Sequence, residues 1–416
     1  MRPQRIPADW PLPVLAFALT AFGIAMVYSA GETDLPTFVQ GIWRTQVMWF
    51  VLGLAAAYAI TRTSVRLLEW ASVWAYLGSC ALLLLLIFIG TGAGTAASTK
   101  SWLAIGGVRL GQPSELAKIA VVLMLARVLS AQRGTPSSLV ELWKPAAITL
   151  VPWLLIMAQP DLGTGIVFIG VFFAMLFWSG VPWWLLLMAA SPGISLLLAF
   201  GPGVWGAWFF LLLALLWWKR PAWLETSAII AVNVMVGVVA PLLWEKLNPY
   251  QRNRLLVFLD PSADPRGSAY HMIQSQVAIG SGGVFGKGFT LGSQKRLAFL
   301  PEQYTDFIFP VVGEELGFVG VTLALGLFTV LLLRTVRIAA RSSSPFASLA
   351  AFGLTAAWFT HIIVNIGMTV GLMPITGIPL PFFSYGGSFM LSCWLAVGIL
   401  VLISSEGRGK ADALVI

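Results

Sequence analysis

Twelve apolar runs, each at or near the length that crosses a hydrocarbon layer, recur between Pro11 and Ser404 and leave a chain of this kind few folds to choose from. They lie at approximately 11–30, 45–60, 71–89, 114–131, 145–158, 163–178, 182–200, 204–218, 224–244, 309–333, 349–372 and 389–404. A membrane-spanning helix needs roughly 20 mostly apolar residues. Inside lipid every backbone N–H and C=O must be paired within the protein, which selects helices over open strands. The expectation is an all-α polytopic membrane protein with about twelve transmembrane helices. Composition agrees, because 10% charged residues against 58% apolar excludes a soluble globule, whose charged share is near a quarter. Cys80 and Cys393 both fall inside apolar runs, so neither a disulfide framework nor a cysteine metal site is expected. No basic run is interleaved with aromatics, so the net charge of +8 reflects loop bias, and nucleic acid is not an expected partner.

Arg2 and Arg5 ahead of the first run give it the look of a signal peptide. Tyr28 stands where cleavage before Ala30 needs a small residue, and a second run follows closely, so the segment reads as an uncleaved first helix. If the chain starts in the cytoplasm and alternates, Arg62, Arg66, Arg127, Arg133, Lys144, Lys219, Arg220, Arg334, Arg337, Arg341, Arg408 and Lys410 all join Arg2 and Arg5 on one side. The opposite short loops hold Glu32, Asp34 and Asp161. Both termini are therefore expected to be cytoplasmic, with the long 246–308 loop facing outward, away from ATP.

That loop is the one long polar stretch. From Tyr250 to Asp306 it carries Asp260-Pro261 and Asp264-Pro265, the cations Arg252, Arg254, Arg266, Lys287, Lys295 and Arg296, a glycine-rich run, and the acids Glu302 and Asp306. Leu255, Phe258, Tyr270, Ile273, Phe285, Phe299 and Tyr304 make it too apolar for a disordered tether, so it is expected to fold against the membrane helices. Residues 282–288 resemble a phosphate-binding loop only loosely: Ser281 stands where the first glycine belongs and Gly288 replaces the required Ser or Thr. Glycines there fit tight turns or close backbone approach.

Polar residues inside helices cost about 2.5 to 3.5 kcal/mol each on insertion scales and point to function. Gln112-Pro113-Ser114-Glu115 opens a helix, and Glu115 and Lys118 share one face, either as a capping ion pair or as site residues. Gln159 and Pro160 precede Asp161, a plausible helix cap. Arg44, Gln46 and Trp49 enter the second helix as interfacial anchors or site residues. Near the C-terminus, Asn365 and Met368 lead into a segment with Pro374, Pro379 and Pro381 that cannot be one regular helix, and 374–388 reads as re-entrant or extended. His361 is expected to pack rather than titrate; His271 lies near Asp264 in sequence.

The blocks QPSE with Lys118, QPDLGT, YQRNR followed by DPSADPRGSAYHMIQS, GSGG, GKG, FLPEQYTDFIF, GEELG and TGIPLPFFSYGGS resemble, along nearly the whole chain, the SEDS (shape, elongation, division and sporulation) peptidoglycan glycosyltransferases, and look more like the RodA elongation type than the FtsW division type. The family has ten helices with two between QPDLGT and the long loop; four here imply an extra pair near 180–230, within an N-terminal membrane part of 1–245. The rest would be the catalytic loop 246–308, the C-terminal helices 309–404 with the 374–388 segment, and a cytoplasmic tail 405–416. Two other departures are Lys100-Ser101-Trp102, where the family has Arg before the Trp, leaving that role to Lys100 or Arg109, and Phe389 in place of a second serine after Ser388.

The resemblance implies polymerisation of lipid II, the undecaprenyl-diphosphate-linked disaccharide pentapeptide, at the outer face of the bacterial cytoplasmic membrane. A sugar 4-hydroxyl attacks an anomeric carbon and lipid diphosphate leaves, so a base and cations are needed and a general acid is not. Spacing alone leaves Asp260 and Asp264 equal; the family motif aligns its catalytic aspartate with Asp264. It further implies substrate contacts at Arg44, Trp102, Glu115, Lys118, Arg254, Gln274, Ser275 and Ser384, a class B penicillin-binding protein transpeptidase and the elongation machinery as partners, and no organic cofactor, with a divalent cation (Mg or Mn) compatible with the diphosphate. The rival readings are a flippase for the same lipid-linked precursor, which would spread charges through the midplane, and a scaffold for other wall enzymes, which would need no chemistry at Asp264.

Overall fold

The computed structural model describes residues 9–34, 39–92, 101–105, 108–132, 134–244, 269–297, 299–300 and 302–413. Among the described residues, nine long helices come first: α1 (Pro11–Gly31), α2 (Ile42–Thr61), α3 (Val65–Ile89), α4 (Pro113–Ser130), α5 (Trp143–Met157), α6 (Leu162–Trp178), α7 (Trp183–Leu198), α8 (Pro202–Lys219) and α9 (Trp223–Trp244). Two short helices among the described residues, α10 (Tyr270–Ser281) and α11 (Ser293–Arg296), precede three more long ones, α12 (Ile308–Arg341), α13 (Pro345–Thr369) and α14 (Gly387–Ala413). A small antiparallel hairpin, β1 (Leu103–Ile105) with β2 (Val108–Gly111), joins α3 to α4. The long helices coincide with the twelve apolar runs. Among the described residues, eight spans are long and apolar enough to cross a membrane by length and composition, with α6 and α7 as shorter apolar helices. The chain is a multi-pass membrane protein.

Helix starts carry their own signals. Pro stands in the first turn of α1, α4, α8 and α13, where a missing N–H costs nothing. Ser64 and Ser344 accept from the backbone N–H groups of Leu67 and Ala347, so α13 begins at Pro345, four residues ahead of its apolar run. α12 runs on to Arg341, letting Arg334, Arg337 and Arg341 extend from the apolar end, and Arg334 pairs with Asp9 at 3.7 Å.

The bundle has a centre and a periphery. In α13 and α14, 72% and 67% of the apolar window is buried, against 11% in α8. α14 packs on α2, and α13 on α4, α6 and α12. Helices α7 to α9, which include the expected extra pair, share a separate small cluster of Met188, Leu212, Leu215, Leu216 and Ile229. A buried polar staple ties them together. Asn233 donates to Ser191 Oγ (2.8 Å) and accepts from Ser195 Oγ (2.6 Å), while Trp208 Nε1 donates to Ser195 Oγ (3.0 Å).

The described part of the 246–308 loop does fold onto the bundle, with α10 against α12 and α13. α12 breaks at Gly317 (φ 63°, ψ −158°). The carbonyls of Glu314 and Glu315 accept from the N–H groups of Lys287 (3.0 Å) and Gly288 (3.0 Å), while Phe318 and Val319 donate to the carbonyls of Gly283 (2.9 Å) and Val284 (3.1 Å). In an unbroken helix those carbonyls and N–H groups would bond each other. The glycine-rich loop therefore satisfies four groups freed by the break. A Cβ on Gly286 (φ 79°) would lie 2.1 Å from Glu315 O, so close approach to α12 accounts for this run.

Candidate active site

The unwound stretch between α13 and α14 passes through the centre of the bundle, and its backbone is held by polar side chains from neighbouring helices. Gln46 of α2 donates to Ser384 O (2.9 Å) and accepts from Gly386 N (3.2 Å). Asn365 of α13 donates to Ile378 O (2.7 Å) and Asp306 O (2.9 Å). One turn earlier, His361 donates from Nδ1 to Pro379 O (2.9 Å). Ser384 Oγ accepts from Leu380 N (2.8 Å), and Phe382 takes φ 65°, an uncommon value for a non-glycine residue. Non-helical backbone at membrane depth requires such partners.

Against this stretch lies a cluster of buried charge. Lys118 Nζ is 2.8 Å from Glu115 Oε2 and 2.7 Å from His361 Nε2. Lys118 is 6% exposed and Glu115 3%, so the pair is a buried pair within α4 and not a surface cap. Phe389 completes the surround, with its ring 5.2 Å from Lys118 Nζ and 4.7 Å from the His361 ring. The residue that departs from the family's second serine thus lies on the charged cluster. A cavity of about 20 Å³ opens beside it, lined among others by Glu115, Lys118, His361 and Ser392, and space of this order holds one water.

Toward the loop end, Asp161 caps α6 by accepting from Thr164 N (3.0 Å) and Thr164 Oγ1 (2.8 Å), and also accepts from Gln112 Nε2 (2.8 Å). Gln112 N donates to Ser388 Oγ (3.0 Å), joining α4 to α14. Gln159 donates to Leu83 O (2.9 Å). Tyr385 N donates to Tyr304 O (2.9 Å). Burial raises the Tyr304 phenol well above its usual pKa, with Glu302 adding to the effect.

The remaining sequence candidates divide. Trp49 lies against Gly387 at the start of α14. Arg44 is exposed, its guanidinium 5.6 Å from the Trp43 ring centre. Trp102 is half-buried and exchanges backbone hydrogen bonds with Thr91 (3.0 and 3.2 Å). Gln274 is half-buried on α10, and His271 sits 5.8 Å from the Phe307 ring. Ser275 is fully buried and donates to Thr369 O (2.6 Å), so its hydroxyl fastens α10 to α13. Ser384 likewise uses its hydroxyl within the unwound stretch. Asp264, Asp260, Arg252, Arg254, Arg266 and Lys100 lie outside the described residues, as does the side chain of Arg109. Among the described residues no group of three or more His, Cys, Asp or Glu side chains is placed to hold a metal ion.

Sequence reasoning passed over the Lys118–His361 contact and Phe389 as its third wall. The available signal was the spacing of four between His361 and Asn365, which puts both on one face of α13.

A second charged cluster lies under the loop. Lys295 and Glu315 pair at 2.9 Å with both side chains fully buried. Ser29 Oγ donates to Glu315 Oε2 (2.6 Å) and accepts from Lys295 Nζ (2.8 Å). Lys287 pairs with Glu314 at 2.7 Å, and Arg296 with Asp34 at 2.8 Å. Burial lowers the Lys295 pKa, and Glu315 opposes that shift.

A family model described as "Cell cycle protein" (FtsW/RodA/SpoVE) matches residues 10–205 and 203–409. The chain is 34% identical over 430 residues to the peptidoglycan glycosyltransferase RodA of Treponema pallidum, covering 96% of this chain and 98% of that protein. It is also 34% identical over 405 residues to the peptidoglycan glycosyltransferase MrdB of Escherichia coli K12, covering 97% and 95%. Among solved structures it is similar to a chain of a peptidoglycan synthase complex described as coordinating polymerization and crosslinking, with a TM-score of 0.71, 28% identity and 96% and 98% coverage. The rod shape determining protein RodA of Thermus thermophilus gives a TM-score of 0.62 at 25% identity, with 96% and 97% coverage. With matches of that extent along both halves, the chain belongs to the FtsW/RodA/SpoVE family of cell cycle proteins.

Proposed function

We propose that this protein is a peptidoglycan glycosyltransferase that polymerises lipid II into glycan strands at the outer face of the cytoplasmic membrane during elongation. Full-length similarity to relatives named as such enzymes carries the reading. In the reaction the 4-hydroxyl oxygen of one sugar bonds to the anomeric carbon of another. The bond from that carbon to the lipid diphosphate breaks, and its electron pair leaves with the diphosphate. Asp264 takes the hydroxyl proton as general base. An exposed aspartate near its reference pKa of about 3.9 is a weak base, so partial burial at the membrane rim would raise its pKa.

Lys118, with Arg44 and Arg254, supplies positive charge as the diphosphate leaves. A buried ammonium in low dielectric acts over a longer range than one in water, so Lys118 contributes from within the wall. A divalent cation, if used, would be held by the diphosphate oxygens, and no step here depends on it. Cation placement argues for cytoplasmic termini and an outward 246–308 loop. A class B penicillin-binding protein is the expected partner, consistent with the crosslinking named for the similar complex.

The test is glycan synthesis from purified lipid II in liposomes, with and without the transpeptidase. Wild type should make strands, and Asp264→Ala should make none. Lipid movement across liposomes with no product, even with the partner present, would replace the polymerase by the flippase. Full activity in correctly folded Asp264→Asn, with loss in Asp260→Asn, would move the base to Asp260.

A further inference from the structure

His361 connects two parts of the site that otherwise belong to different elements. Its Nδ1 lies 2.9 Å from Pro379 O, an atom that only accepts, so Nδ1 carries the proton. Nε2 in the neutral ring then presents a lone pair, and 2.7 Å away stands Lys118 Nζ, which only donates. Lys118 is thereby fixed by Glu115 within α4, by His361 from α13 and by the face of Phe389 from α14. The other end of the His361 ring grips the unwound stretch.

We propose that His361 is a positioning residue: as a neutral ring protonated on Nδ1, it holds the Lys118 ammonium at a set place relative to the Pro379–Ser384 stretch, from where that charge acts through the wall of the site on the leaving diphosphate. This rests on the polymerase reading for its consequence in catalysis, but not for its geometry. A role confined to packing or to holding Pro379 would need no acceptor on Nε2.

Two amide variants separate the two bonds. In His361→Gln the side-chain oxygen reaches the place of Nε2 and can accept from Lys118. In His361→Asn the amide nitrogen falls near Nδ1, keeping the bond to Pro379 and losing the acceptor. With lipid II as substrate, His361→Asn and His361→Ala should lower kcat roughly 10- to 100-fold, the range set by a hydrogen bond to a charged group, with KM little changed. His361→Gln should recover most of that loss. In a Lys118→Met background, His361→Ala should cost less than about threefold more, because residues acting through one contact are not additive. Rescue by Asn and not by Gln, or full additivity with Lys118→Met, overturns the proposal.

A readout independent of turnover keeps this inference separate from the function itself. The chain has two histidines, so nitrogen-15 spectra of labelled histidine resolve His361. Its Nδ1 should be protonated, and its Nε2 resonance should move when Lys118 becomes Met. A proton on Nε2, or an Nε2 resonance indifferent to Lys118→Met, overturns the proposal whether or not the wild type polymerises lipid II. Absence of glycan from wild type alone would count against the polymerase reading and not against this contact.

Discussion

Among the described residues two buried lysine–glutamate pairs stand at nearly the same separation, 2.9 Å for Lys295–Glu315 and 2.8 Å for Lys118–Glu115, yet their surroundings differ. Around Lys295–Glu315 the polar capacity is used up: Ser29 serves both partners, and Gly292 N approaches Glu315 Oε1 at 3.4 Å. The pair closes the described part of the 246–308 loop against α1 and α12. Around Lys118–Glu115 an aromatic face and a histidine nitrogen take the ammonium in place of hydroxyl and carbonyl oxygens, and a cavity lies alongside. A charge pair in lipid-embedded protein is a fastener when its partners are complete, and a site when space and polarisable groups are left beside it.

The sharpest way to break this comparison is Lys295→Met. It should cost about 3–5 kcal/mol of stability, as leaving one partner of a buried pair uncompensated does, read as a large fall in unfolding midpoint in detergent. A stable Lys295→Met enzyme that has lost turnover would make the Lys295–Glu315 pair a site instead. Gly286→Ala probes the same fastener through the backbone. With φ 79° and Glu315 O in the way, it should cost about 1–3 kcal/mol, and an unchanged midpoint would show that the loop is not seated on the kink. The smallest effect is expected at the third buried polar cluster. Asn233→Ala should lose about 1 kcal/mol, in the range of intramembrane hydrogen bonds, and leave turnover per folded molecule unchanged. A marked loss of turnover there would extend the site to α7–α9.

Much of the bundle was legible from apolar runs, because a helix in lipid needs only length and hydrophobicity, and a non-helical stretch was legible from its prolines, although it runs over residues 370–386 and Gly387 and Ser388 already belong to α14. The centre was less so. Lys118 and His361 are 243 positions apart, and nothing local marks their contact. Ser275 and Ser384 sit in suggestive motifs, but their hydroxyls are engaged by backbone atoms at 2.6 and 2.8 Å, which motif reading cannot distinguish from substrate contacts. The break at Gly317 was hidden for a related reason: a lone glycine in an apolar run is compatible with a straight helix until the loop that replaces its hydrogen bonds is in place.

That exchange at the kink fixes what evolution or an engineer can edit. Residues 283–288 and 314–319 are threaded through each other by four reciprocal bonds, so inserting or deleting one residue in either strand throws every pairing out of step. A side-chain swap at Phe285, which is 81% exposed, touches none of them. This stretch of the surface is therefore rigid in length and permissive in lettering, the reverse of the ordinary loop, where length drifts freely between homologues.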